Sequence, residues 1–189
     1  MINESLKYVA SDLDAYLKRK YDSSESRVKL GSILNQDGSV PEDNRNKIIL
    51  SLISLEHESA VQTTLNGSHS GGRFNQVNPP VKFNLNIIFS ALFNQYEEGL
   101  KFLSDTIFFF QAKSVFNPQN SPGLNASISQ MTLEVIKLNY SETYNLWASI
   151  GAKYIPSIPL KMRLLTFQSN DLFEAIPEIS NPVSEAVPQ

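Results

Sequence analysis

The 189-residue chain contains no cysteine, which excludes disulfides, thiolate metal sites and cysteine nucleophiles. Histidine is almost as scarce: His57 and His69 are the whole supply, so imidazole-rich metal centres and most general-base chemistry have little to draw on. There is no basic excess either, with 16 Lys and Arg against 19 Asp and Glu and a net charge of -3. Phosphate neutralisation supplies most nucleic-acid affinity, so nucleic acid is not an expected partner. No apolar run approaches the ~18 residues of a membrane helix. The opening residues 1–20 (MINESLKYVASDLDAYLKRK) are amphipathic and carry acids, unlike the basic-then-apolar layout of a signal peptide. A soluble, cytoplasmic protein without a membrane partner is the expectation.

What is present suits a folded globule. Hydrophobic residues make up 41% and aromatics 10% of the chain, enough to bury a core in one domain of this length. In residues 1–20, Ile2, Leu6, Val9, Leu13 and Leu17 recur at spacings of three and four, which predicts a helix with Asn3 as its N-cap. Lys18, Arg19 and Lys20 fall where that helix ends and complement its dipole. Residues 28–34 read as a short strand, and residues 47–56 (KIILSLISLE) as a stronger one. Ile48, Leu50 and Leu52 face one way there, and Ile49, Ile53 and Leu55 the other. Residues 81–93 (VKFNLNIIFSALF) alternate most clearly of all. Asn94 and Glu97 suggest a capping box for the next helix, over 95–111, whose buried stripe is expected to comprise Tyr96, Leu100, Leu103, Ile107 and Phe110, widened by Phe102 and Phe109. A strand over 131–140, a short helix capped by Ser141 and ended by Gly151, and a last strand over 158–167 complete the order α-β-β-β-α-β-α-β.

Three strands in succession argue for an α+β fold, a single layered domain whose mainly antiparallel or mixed sheet of about five strands is covered by helices. The domain is expected over 1–168, followed by a flexible, proline-containing tail over 169–189. Residues 57–80 are rich in Gly, Ser, Thr and Asn and offer little to bury, which predicts a mobile excursion between two paired strands.

The search for chemistry assigns no catalytic, metal or cofactor-binding residue. Glu56, His57 and Glu58 lack the i, i+4 spacing that puts two ligands on one helical face. In the run Gly67-Ser-His-Ser-Gly71 a histidine stands where a nucleophile elbow needs serine. Gly71-Gly72-Arg73 has no Walker lysine and no following helix. Trp147, the only tryptophan, either covers the sheet or anchors an interface, since tryptophan is enriched at binding hot spots. Arg73 and Phe74 are candidate contacts in the polar segment for the same reason, and Lys153 and Tyr154 follow Trp147 in its block.

Three stretches make the sequence recognisable: residues 1–6 (MINESL), residues 78–104 (NPPVKFNLNIIFSALFNQYEEGLKFLS), and residues 138–157 (LNYSETYNLWASIGAKYIPS) running on to 161–166 (KMRLLT). Together they resemble the cap, or tail-terminator, proteins of phage-tail-like contractile injection particles of the antifeeding-prophage type. The resemblance spans most of residues 1–168 and implies a fold like that of phage tail terminators. It also implies a structural protein that forms a homohexameric ring on the end of the inner tube, stops its elongation and secures the sheath. Inner tube and sheath proteins are the implied partners, no cofactor is implied, and nothing is carried over to the variable 21–39 and 57–78 segments. Two other readings are weighed beside it: a monomeric adaptor or chaperone of the same particle, and a hydrolase using His57 or His69.

Overall fold

The computed structural model describes residues 1–58, 67–70, 73–76, 81–126, 128–167 and 175–177. Along them run α1 (Ile2–Tyr21), β1 (Val28–Leu30), β2 (Lys47–His57), β3 (Gly67–Ser70), β4 (Arg73–Gln76), β5 (Val81–Leu92), α2 (Tyr96–Ala112), β6 (Val115–Phe116), β7 (Met131–Val135), α3 (Tyr140–Ile150), β8 (Ser157–Phe167) and β9 (Ala175–Pro177). Six strands form a mixed sheet in the order β1-β2-β5-β8-β7-β6, and β3, β4 and β9 form a small second one. Within the described residues β1 pairs parallel to β2 and the other neighbours are antiparallel. The α+β class is as expected. The sixth strand, β6, has two residues, too few for any alternation to show in sequence.

Helix α1 buries Leu6, Val9, Leu13 and Leu17, as their spacing requires. Its N-cap is Met1 rather than Asn3, and no side chain caps that end; instead the terminal ammonium pairs with Glu4 at 2.8 Å. At the other end Asp22 adopts a left-handed conformation (φ 47°) and its N–H donates to the Lys18 carbonyl. Two of the three basic residues in the last turn have carboxylate partners, Lys18 with Asp14 and Lys20 with Asp105.

Strand β2 departs from simple alternation. Its first half obeys the expected parity: Ile48 and Leu50 join the main core, and Ile49 joins a second cluster on the opposite face. A bulge between Leu52 and Ser54 then slips the pairing with β5 by one residue. Beyond it Leu55 lies opposite Leu85, so Leu55 is not on the Ile49 face, and it is half exposed. A one-residue slip moves every later side chain to the other side of the sheet, and no sequence period announces it.

Helix α2 is rotated relative to expectation. The buried residues are Gly99, Phe102, Asp105, Thr106, Phe109 and Phe110, whereas Tyr96, Leu100 and Ile107 are exposed. This helix carries apolar residues nearly all round, so periodicity does not single out one face. Polar side chains decide it: Asp105 accepts hydrogen bonds from Lys20 and Tyr21 at the end of α1, and Thr106 donates to the Phe102 carbonyl at 2.9 Å. Burial, followed by the bond to Asp105, pushes the Tyr21 hydroxyl above its ordinary pKa. The Asn94–Glu97 capping box does not form. Gln95 is the N-cap, and the Asn94 N–H donates to Asn46 Oδ1 at 3.0 Å.

The capping box forms at α3 instead. Asn139 Oδ1 accepts from the Glu142 N–H at 2.9 Å, and Glu142 Oε2 accepts from the Asn139 N–H at 2.8 Å. Asn139, not Ser141, is therefore the N-cap, and β7 stops at Val135 rather than continuing to Tyr140. Gly151 ends the helix at φ 74°, a conformation that favours glycine.

Helices α1 and α2 share one core with Ile48, Leu50, Leu85, Ile87, Phe89 and Leu160. Helix α3 covers the other face, where Trp147 packs with Ile33, Ile49 and Ile88. Within the 57–80 segment, expected as an open excursion, β3 and β4 form a hairpin, and β4 also pairs with β9 from the 169–189 stretch. The rest of the expected excursion and tail, residues 59–66, 71–72, 77–80, 168–174 and 178–189, lies outside the described residues.

Candidate functional site

The residues singled out by sequence are not brought to one place. Arg73 and Phe74 lie on β4, where Arg73 is registered with Ser70 and Pro177, and Phe74 with His69 and Ile176. Hairpin pairing positions them on a small sheet rather than in an open loop. Trp147 is 4% exposed and belongs to the core under α3 in the isolated chain. Its ring meets Tyr154 edge-on at 5.8 Å, and its indole N–H is buried with no hydrogen-bond partner among the described residues. Trp147 thus backs the surface, while Lys153 and Tyr154 form it, both being exposed.

Tyr154 borders a groove of about 610 Å³ at one end of the main sheet. Leu92, Phe93 and Gly99 form part of its wall, with Tyr96 and Tyr154 at the edges and Arg45 supplying a cation. The wall is tight at Gly99, where a Cβ would stand 3.3 Å from Phe93 Cβ; glycine lets α2 start close against the end of β5. The lining is aromatic and aliphatic with few polar groups, which suits apolar contact rather than bond-making chemistry.

The carboxylates near His57 have structural partners. Glu56 pairs with Lys161 and accepts from Asn86 Nδ2 at 2.6 Å, and these bonds, the one to Lys161 first, hold its carboxyl below the ordinary range. Glu58 accepts from Asn84 Nδ2 at 2.8 Å. The His57 ring packs edge-on to Phe83 at 5.6 Å. His69 lies on β3 in the second sheet. Among the described residues no cluster of three or more His, Asp or Glu side chains is arranged to hold a metal ion, and no helix is long and apolar enough to cross a membrane.

Some apolar exposure has no counterpart among the residues singled out from the sequence. Tyr96, Leu100, Ile107 and Phe108 line the outer side of α2, and Val135, Tyr140 and Tyr144 stand out near α3. One signal for the first set was available: α2 carries more apolar residues than a single buried face needs.

The model of the Pvc16 N-terminal domain family matches residues 8–181. Two solved structures share the fold. One is the sheath/tube terminator of PVC, an extracellular contractile injection system, in the extended state; the match has a TM-score of 0.63 at 14% identity and covers 100% of this chain and 64% of that one. The other is the tube-terminating cap of the anti-feeding prophage, AFP, with a TM-score of 0.54 at 14% identity, covering 94% of this chain and 60% of that one. This chain therefore spans about three fifths of either relative's length. No curated protein sequence matches the chain.

Proposed function

Since the chain belongs to the Pvc16 N-terminal domain family, we propose that it is a structural cap that terminates the tube and sheath of a contractile injection particle. The observation that supports this reading most is the fold, shared over essentially the whole chain with a sheath/tube terminator and a tube-terminating cap. In this reading the protein is not an enzyme and works by covering a growing end. It assembles in the cytoplasm as a homohexameric ring, and its partners are further copies of itself and the particle's inner tube and sheath proteins. A ring requires two different patches per subunit that meet head to tail and close on rotation.

Residues 1–168 make up the cap unit in this reading, and β9, from the stretch that follows, pairs with β4. The β3–β4 hairpin, with Arg73 and Phe74, is assigned to the tube. Lys153 and Tyr154, beside the groove, are assigned to a neighbouring protein, because Arg and aromatic side chains dominate interface energies.

The test is particle assembly without this protein. Tubes of irregular length, or tubes without stable sheaths, are expected, and uniform, fully contractile particles would exclude the cap role. The double variant Arg73→Ala/Phe74→Ala should keep its melting temperature and lose about tenfold or more in attachment to tubes. Unchanged attachment would remove the hairpin from the tube contact.

A further inference from the structure

The two exposed apolar patches lie on elements that cover opposite faces of the main sheet. Helix α2 belongs to the core that α1 shares, and α3 to the cluster on the other side. On α2, Tyr96, Leu100, Ile107 and Phe108 are 65%, 39%, 41% and 58% exposed. The spacings place Tyr96, Leu100 and Ile107 in one stripe, about 17 Å long from first to last at the helical rise, and Phe108 lies beside it. On the other side Tyr140 and Tyr144, one turn apart on α3, are 96% and 74% exposed. Apolar patches of this kind mark interaction sites when they are contiguous. One unpaired charge beside each is complementary to the other. Exposed Glu97 precedes Leu100 on the stripe, and exposed Lys137 lies between Val135 and Tyr140. Neither has an ion-pair partner among the described residues.

We propose that these patches are the two halves of one heterologous contact between successive copies of this chain. The α2 stripe of one copy packs on Tyr140 and Tyr144 of the next, with Glu97 facing that copy's Lys137. The inference deepens the ring reading above and rests on it. Its physical basis is the placement. A self-complementary patch would stop at a dimer, whereas two different patches on opposite faces leave each added copy with one patch open until the ring closes. Tyrosines suit such a contact, since they bury large area at low entropic cost.

The absence of cysteine makes the contact directly testable. Leu100→Cys, Tyr144→Cys and the double variant place thiols only at exposed positions, and are treated with a short bis-maleimide, both as free protein at high concentration and in assembled particles. The double variant should give a ladder extending beyond dimers, each single variant monomers, and a mixture of the two single variants only dimers. Glu97→Lys and Lys137→Glu should each weaken self-association by roughly tenfold, and their combination should restore it. Dimers from Leu100→Cys alone would mean a symmetric α2–α2 contact and overturn the proposal. So would cross-links from the stripe to a different particle protein, or no cross-links in particles that terminate normally. Tube length measured in the same samples separates the two readings: normal termination without cross-links removes this contact and leaves the cap role standing, while uniform particles lacking the protein altogether remove the cap role itself.

Discussion

Replacing Asp14 tests how α1 is fastened to the edge of the sheet. Asp14 is buried on α1, and its Oδ1 accepts from the Arg27 N–H at 2.7 Å and the Val28 N–H at 3.0 Å. Its Oδ2 accepts from the Ser26 hydroxyl at 3.0 Å and pairs with Lys18 at 2.9 Å. These donors lead into β1, an edge strand of three residues with little packing of its own. Asp14→Ala leaves the buried Val28 N–H and the half-buried Arg27 N–H without this acceptor. An unsatisfied buried group costs ~1–3 kcal/mol, and water reaches Arg27 in part, so the loss should be about 3 kcal/mol. Asp14→Asn retains an oxygen for both N–H groups and gives up mainly the partly exposed Lys18 pair, which costs about 1 kcal/mol or less. For a chain of this size the alanine variant should melt ~6–12 °C lower. Urea unfolding should show a reduced midpoint with unchanged slope. The pH dependence follows from the same contacts. Burial opposes ionisation of Asp14, but Lys18, the two N–H groups and Ser26 together outweigh it and hold its pKa below the ordinary value. A lowered native pKa stabilises the fold above the unfolded value of ~3.9, and this is lost as pH falls through the native value. The stability gap between wild type and Asp14→Asn should therefore hold from neutral pH to about 4 and close below it. An alanine variant within ~0.5 kcal/mol of wild type, or a gap that widens in acid, would refute the reasoning.

Other perturbations have equally definite outcomes. Leu85 is fully buried at the centre of the main core, so Leu85→Asp should cost ~4 kcal/mol or more and leave little soluble native protein, as an unpaired buried charge does; a soluble variant with an unchanged melting temperature would contradict the placement of β5. Asn139→Ala removes the side-chain oxygen that accepts from the Glu142 N–H in the α3 capping box, while its own backbone N–H can still donate to Glu142, and should cost about 1 kcal/mol, read as a lower urea midpoint; no change would show that α3 is held by Trp147 alone. Replacing His57 and His69 together by alanine should leave tube termination unchanged, and a drop in termination would argue for imidazole chemistry.

Local and periodic features are legible in the residues alone. The spacing of Leu6, Val9, Leu13 and Leu17 located α1 and its buried face, the alternation through Leu85, Ile87 and Phe89 located the central strand, and Gly151 marked the end of α3. Absence was equally informative, since a chain with two histidines and no cysteine narrows the available chemistry before any fold is known. Tertiary structure alone decided the features that depend on distant partners. Asp105 faces inward because Lys20 and Tyr21, far away along the chain, are there to bond it, and this turns Leu100 and Phe108 outward. The bulge after Leu52 exists because β2 must pair with β5, and that pairing sets where Leu55 goes. Two of the three misplaced N-caps have the same origin. Asn94 and Ser141 are good caps by composition, but the path of the backbone gave the N-cap position to Gln95 in one case and Asn139 in the other. Strand β4 finds β9 across a gap of about 100 residues, and no short window of sequence contains both. Helical and strand periods record which side chains share a face; which face is buried is settled by what the rest of the chain brings against it.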